Sequence, residues 1–195
     1  MFIKLFKKVS VVLIAMNFLA CATLVPPATP SAADVEKEEQ AVYSFFLDDS
    51  DGPALILQET SSNISELTPQ EMREQIKGSF KTVSKDTIDS YLVRNQGTTQ
   101  LSPTMDLGVE YILVTSDQLS EITRQPNWGE LLTEKYPGSH GYTIFSRIGF
   151  NNTLDQAVVY VGGVKGPMMG AGYYYLMEKQ NGEWVIKEQV MVWIS

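Results

Sequence analysis

Cysteine, histidine and positive charge are scarce in this chain, and each scarcity closes a class of function. Cys21 is the only cysteine of 195 residues, so neither an intramolecular disulfide nor a thiolate metal cluster can form. His140 is the only histidine, and one imidazole cannot build a multi-histidine zinc site. The 15 lysines and arginines are outnumbered by 23 acidic side chains, leaving a net charge of −8. No basic cluster with interleaved aromatics offsets that balance, so phosphate backbones are repelled and no nucleic-acid partner is expected. The chain also lacks a Gly-x-Ser-x-Gly nucleophile elbow, the strained turn that would expose a catalytic serine.

What is present begins at the amino terminus. Lys4, Lys7 and Lys8 precede a mostly apolar run from Val9 to Ala20, followed by the small residues Ala20, Cys21 and Ala22. That order of charged, apolar and small segments predicts an export signal over residues 1–22. The run is short for a spanning helix. Two cleavages compete. Ala20-Cys21-Ala22 is a small-x-small site whose cut after Ala22 discards the cysteine. Phe18-Leu19-Ala20-Cys21 resembles a bacterial lipoprotein lipobox, with Phe18 in place of the usual leucine and Leu19 larger than the usual alanine or serine. The position of the sole cysteine, and the tether-like segment after it, favour lipid attachment at Cys21 and a membrane partner through that anchor. Removing the signal takes three lysines and no acids, which leaves 12 basic against 23 acidic groups, a net −11.

Residues 23–33 (TLVPPATPSAA) read as a semi-extended spacer, and residues 34–195 as a single α+β domain. A helix starts near Ser31 or Asp34, with Val35, Val42, Phe45 and Phe46 inward and Glu36, Glu38 and Glu39 favoured near its positive end. The acidic turn Asp48 to Pro53 lacks the spaced ligands of a calcium loop. Ala54 to Leu57 reads as a short strand. Thr68-Pro69-Gln70-Glu71 is a capping box with proline at N1, opening a helix that presents Met72, Ile76 and Phe80. Another helix follows Ser84, with Ile88, Tyr91 and Leu92 inward. Tyr111 to Thr115 reads as a strand, and Asn127 caps a helix running to about Tyr136. Strands are then predicted over 142–150, 156–161, 173–179 and 184–194, the last two joined by Asn181-Gly182, a type I′ hairpin signal. The helices are expected on one face of this antiparallel meander.

The candidates for chemistry are few. Gly162 to Gly172 holds Lys165 followed by glycine, which is not a phosphate loop; it reads as a wide hairpin loop whose glycines permit positive φ and which exposes Met168 and Met169. His140 beside the Pro137-Gly138 turn reads as a loop residue, with Ser139 or Ser146 the serines of an arithmetically available triad. Arg147 reads as the wetter face of a strand, placed to bind an anionic ligand or to pair with an acid. Asn63 and Asn151 head glycosylation sequons, which matter only in a eukaryotic source. No metal or cofactor is expected.

Tyr136-Pro137-Gly138-Ser139, Ser146-Arg147-Ile148-Gly149-Phe150-Asn151, Ala157 to Val161, Gly170 to Tyr174, Trp184 and Trp193-Ile194-Ser195 together resemble a group of uncharacterised bacterial exported proteins that end in this strand meander. The likeness covers residues 128–195 and implies no activity. Helices followed by a meander also resemble cystatin-like and NTF2-like folds, an analogy of fold that implies no function. The expected function is a non-catalytic, partner- or ligand-binding envelope domain. The alternatives are an exported hydrolase or pocket isomerase using carboxylates with Arg147 or His140, and an accessory subunit docking through Met168 and Met169.

Overall fold

The structure, a computed structural model, describes residues 29–47, 52–62, 67–166 and 168–195. The segment expected as an export signal (with Cys21), Asp48 to Asp51 of the acidic turn and the first sequon lie outside the described residues. The elements in chain order are α1 (Ala32–Phe45), β1 (Ala54–Leu57), α2 (Pro69–Ser79), α3 (Lys85–Arg94), β2 (Tyr111–Val114), α4 (Ser116–Thr123), α5 (Trp128–Lys135), β3 (Tyr142–Phe145), β4 (Gly149–Phe150), β5 (Gln156–Gly166), β6 (Met169–Gln180) and β7 (Glu183–Ile194). They make an α+β fold.

Local capping chemistry starts most of the helices. The Ser31 hydroxyl accepts from the Asp34 amide at 3.2 Å, and the Asp34 carboxylate accepts from the Ser31 amide at 3.1 Å. α1 therefore begins inside the stretch expected as spacer, with Ala32 and Ala33, strong helix formers, already in its first turn. The capping box of Thr68 and Glu71 opens α2 as its sequence implies, and Ser84 caps α3. The Glu71 carboxyl is held below its ordinary value by the Thr68 hydroxyl and amide. Thr68→Ala is expected to lower stability by about 1 kcal/mol, read as a shifted urea midpoint with unchanged slope. α4 is an addition to the sequence reading, which ended a strand at Thr115 where the structure uses that residue as an N-cap with Gln118 at N3.

The sheet order is β2-β1-β3-β5-β6-β7, with β4 pairing β5 beyond the end of β3. β5, β6 and β7 form the expected antiparallel meander. Two strands from earlier in the chain extend it, β1 running parallel to both β2 and β3, so the sheet is mixed. Asn181 and Gly182 take φ of 55° and 90°, the left-handed pair of a type I′ turn.

The helices occupy both faces of the sheet instead of the expected one. Alternation along β5 sends Ala157, Val159 and Val161 to the core under α1, with Val42, Tyr43 and Ile56. It sends Val158 and Tyr160 to the core under α2 and α3, with Met72, Ile76, Ile88 and Tyr91. α4 and α5 pack Leu119, Ile122, Trp128 and Leu132 on Leu55 and Val114. Phe45, expected inward, is 45% exposed because Tyr43 takes the buried position on α1.

The glycine-rich stretch is strand, not loop. Gly162 pairs with Gly172, Gly163 with Ala171 and Val164 with Gly170, and none of the described glycines between 162 and 172 has positive φ. At Gly170 and Gly172 smallness serves packing, because a Cβ there would crowd the Trp193 indole, whose Nε1 donates to the Tyr160 hydroxyl at 2.7 Å.

Candidate functional site

A one-residue bulge between β3 and β4 sets the site. Phe145 lies opposite Val161, yet Gly149 lies opposite Val158, so four steps on one strand face three on the other. An extra residue reverses which side chains face which way. Ile144 consequently packs under α2 and α3, whereas Ile148 and Phe150 pack under α1. The strand expected over 142–150 is thus two strands, and Arg147 stands at the break between them.

Asn95, at the end of α3, fixes the backbone of that break. Its Oδ1 accepts from the Arg147 amide at 3.0 Å and its Nδ2 donates to the Arg147 carbonyl at 2.8 Å. The Ser146 hydroxyl donates to the same carbonyl at 2.9 Å and accepts from the Tyr160 amide. On the other side, the Tyr43 phenol donates to the Ser146 carbonyl at 2.9 Å. The Tyr91 hydroxyl, wholly buried, lies beside the Ser146 and Tyr174 hydroxyls without the geometry of a hydrogen bond to any described residue. Burial pushes the Tyr91 phenol above its ordinary range.

The Arg147 guanidinium meets Glu39 of α1 as a fork, Nε to Oε1 at 2.8 Å and Nη2 to Oε2 at 2.7 Å. Arg94, from the last turn of α3, adds its Nη2 to the same Oε2 at 2.8 Å. Glu39 Oε1 also lies 3.0 Å from the Tyr43 hydroxyl. Burial, and then the neighbouring Glu39 charge, push the Tyr43 phenol well above its ordinary value, so it stays protonated. Glu39 is 7% exposed. A carboxylate that deep is retained only when paired and hydrogen-bonded, and here it is bonded from three side chains. Of the two roles open to Arg147, the structure fills the pairing one.

Two guanidiniums on one carboxylate leave a local excess of one positive charge. Arg94 Nε is buried and finds no acceptor among the described residues. A cleft of about 480 Å³ opens at this point, between α1 and the connection after α3. Glu39, Tyr43, Arg94 and Arg147 line it together with the polar Glu36, Gln40, Gln100 and Ser102, and Val35, Leu101 and Met105 are among its apolar lining. The far wall is held in place where Leu101 donates to the Gln58 carbonyl and Thr60 to the Thr99 carbonyl, both at 2.8 Å. That volume is within the range of small-ligand pockets.

The other sequence candidates fall elsewhere. His140 lines a separate cleft of about 440 Å³ with Gly141, Tyr142 and Lys165. The Ser139 hydroxyl donates to the Tyr136 carbonyl at 2.7 Å, and the Ser146 hydroxyl is committed as described, so neither serine is set against His140 as a nucleophile would be. Met168 and Met169 are 82% and 64% exposed at the β5–β6 tip, near the exposed Ile194. Among the described residues no group of three or more His, Cys, Asp or Glu side chains could hold a metal ion, and no helix is long and apolar enough to cross a membrane. Arg94 escaped the sequence reading, and Glu39 was read only as one of the acids near the positive end of α1. Glu39 carried a signal, because it shares the stripe of Val35, Val42 and Phe46 at helical spacing.

Comparison with protein-family models, curated proteins and solved structures gives no match for this chain.

Proposed function

We propose that the chain is an exported bacterial envelope protein: a non-catalytic ligand-binding domain held to the membrane by a lipid on Cys21. The observation that carries the ligand-binding part is the cleft, where a fixed Arg94–Glu39–Arg147 group with surplus positive charge borders an apolar wall. Preformed concavities with a few convergent polar groups are the usual form of small-molecule sites. The address rests on the order of lysines, apolar run and small residues before a proline-containing spacer. The enzyme alternative has less support, since His140 and Arg147 line different clefts and Arg147 is engaged by Glu39.

The address is tested by mass spectrometry of the mature amino terminus. The expected result is a diacylglyceryl group on Cys21 as the first residue. An unmodified amino terminus at Thr23 would refute the tether and leave simple secretion.

A further inference from the structure

We infer that the cleft takes a small monocarboxylate with an apolar tail, an inference that rests on the ligand-binding reading just given. The charge of the site sets the class. Arg94 and Arg147 share a single buried carboxylate, and Glu39 occupies one edge of the Arg147 guanidinium but only Nη2 of Arg94. Arg94 Nε keeps a buried N–H with no acceptor among the described residues. That atom is closed to solvent, so a ligand meets the guanidiniums through their exposed parts, 23% of the Arg94 side chain and 28% of the Arg147 side chain, and charged N–H donors of that kind are answered best by an anion. A carboxylate is planar and matches the guanidinium edge in the way Glu39 does.

The rim narrows the class further. Glu36 lines the same cleft and is exposed, whereas Glu39 is buried. With Glu36 and Glu39 against Arg94 and Arg147, the charged lining balances overall. The surplus is therefore confined to the inner end, and a phosphate or dicarboxylate would meet Glu36 with its second charge. One negative charge at the inner end and none near the mouth is the pattern that fits. Tyr43 offers little choice of its own, because its one proton lies between Glu39 Oε1 and the Ser146 carbonyl. Val35, Leu101 and Met105 form an apolar part of the lining, beside Gln40, Gln100 and Ser102, and they gain by covering a short alkyl chain. The fork that presents Arg147 is held by Asn95 and Ser146 before any ligand arrives, so little ordering is lost on binding.

The test titrates the chain, as recovered from its host after export, with hexanoate, hexanamide and inorganic phosphate. Calorimetry and ¹⁵N spectra that resolve arginine Nε–H groups follow binding. Hexanoate is expected to bind one to one and to move the Arg94 Nε–H resonance. Hexanamide and phosphate are each expected to bind at least about tenfold more weakly, the loss that accompanies removal of one charged hydrogen bond. Arg94→Gln is expected to weaken hexanoate by about tenfold and so to narrow its advantage over hexanamide. The Nε–H readout on the unaltered chain decides the matter if that variant does not fold. Equal binding of hexanamide and hexanoate would overturn the carboxylate and keep a binding cleft. Preference for phosphate would overturn the monoanion. If none of the three perturbs a cleft residue, both this inference and the ligand-binding reading fall.

Discussion

Replacing Glu39 with alanine is expected to destabilise the fold by about 3 kcal/mol, because the change strands two guanidiniums that were arranged around one carboxylate. Removing one partner of a buried ion pair costs more than the pair contributes, since the surviving charge keeps its desolvation and loses its counter-charge. Arg94 and Arg147 retain 23% and 28% exposure of their side chains, which places the expectation at the low end for such a break. Four side-chain hydrogen bonds disappear with the carboxylate: two from Arg147, one from Arg94 and the Tyr43 contact. For a chain of this length about 3 kcal/mol corresponds to roughly 6 to 12 °C in the thermal midpoint. Glu36→Ala is the control: the same substitution, one turn earlier on the same helix, at an exposed position, expected to change stability by no more than about 0.5 kcal/mol. Urea unfolding of both variants, at unchanged slope, checks the pair. A loss below about 1 kcal/mol in Glu39→Ala would mean that water screens the group as it would a surface salt bridge, and the cleft would then have no rigid charged end.

How far the sequence revealed this arrangement follows the range of each interaction. Caps are local, so Ser31, Thr68 and Ser84 announced their helices from residues three positions away. The left-handed turn at Asn181-Gly182 is likewise written in two adjacent residues. The parallel pairing of β1 with β2 and β3 joins segments far apart in the chain, and nothing in Ala54 to Leu57 names its neighbours. The glycines from 162 to 172 misled because glycine content signals loops in general, whereas at Gly170 and Gly172 the reason for glycine is the Trp193 indole of the next strand. The bulge at Ser146 and Arg147 is the hardest case. Period-two alternation gave Arg147 the wet side of one continuous strand, and a single extra residue moved it to the edge of a charged cleft. Arg94 follows the same logic: its helix was legible, but its partner Glu39 lies on a different element and only the tertiary packing of α1 over the bulge joins them.

The close approach of β4 to α3 makes the second expectation, for Gly149→Ala. A Cβ built on Gly149 would overlap the backbone nitrogen, Cα and Cβ of Tyr91, and Phe150 next to it donates to the Ser90 hydroxyl at 3.1 Å. Backbone cannot rotate out of the way as the end of a side chain can, so α3 must shift as a body or the strand must leave the sheet. Forcing extra volume into such a contact is expected to cost about 3 kcal/mol. Gly163→Ala supplies the comparison within the same sheet. Its added methyl meets nothing within 4 Å and its φ is not positive, so it is expected to be neutral or to stabilise by about 0.5 kcal/mol through the unfolded chain. The two glycines also differ in their consequence for the site. α3 carries Arg94 and is followed at once by Asn95, the two residues that complete the charged end of the cleft and clamp the bulge. A displaced α3 should therefore weaken hexanoate binding in whatever fraction of Gly149→Ala remains folded, while Gly163→Ala should bind as the unaltered chain does. If Gly149→Ala lost stability but bound hexanoate unchanged, the strain would have been absorbed by the strand alone, and the seat of Arg94 would not depend on the helix-to-strand contact.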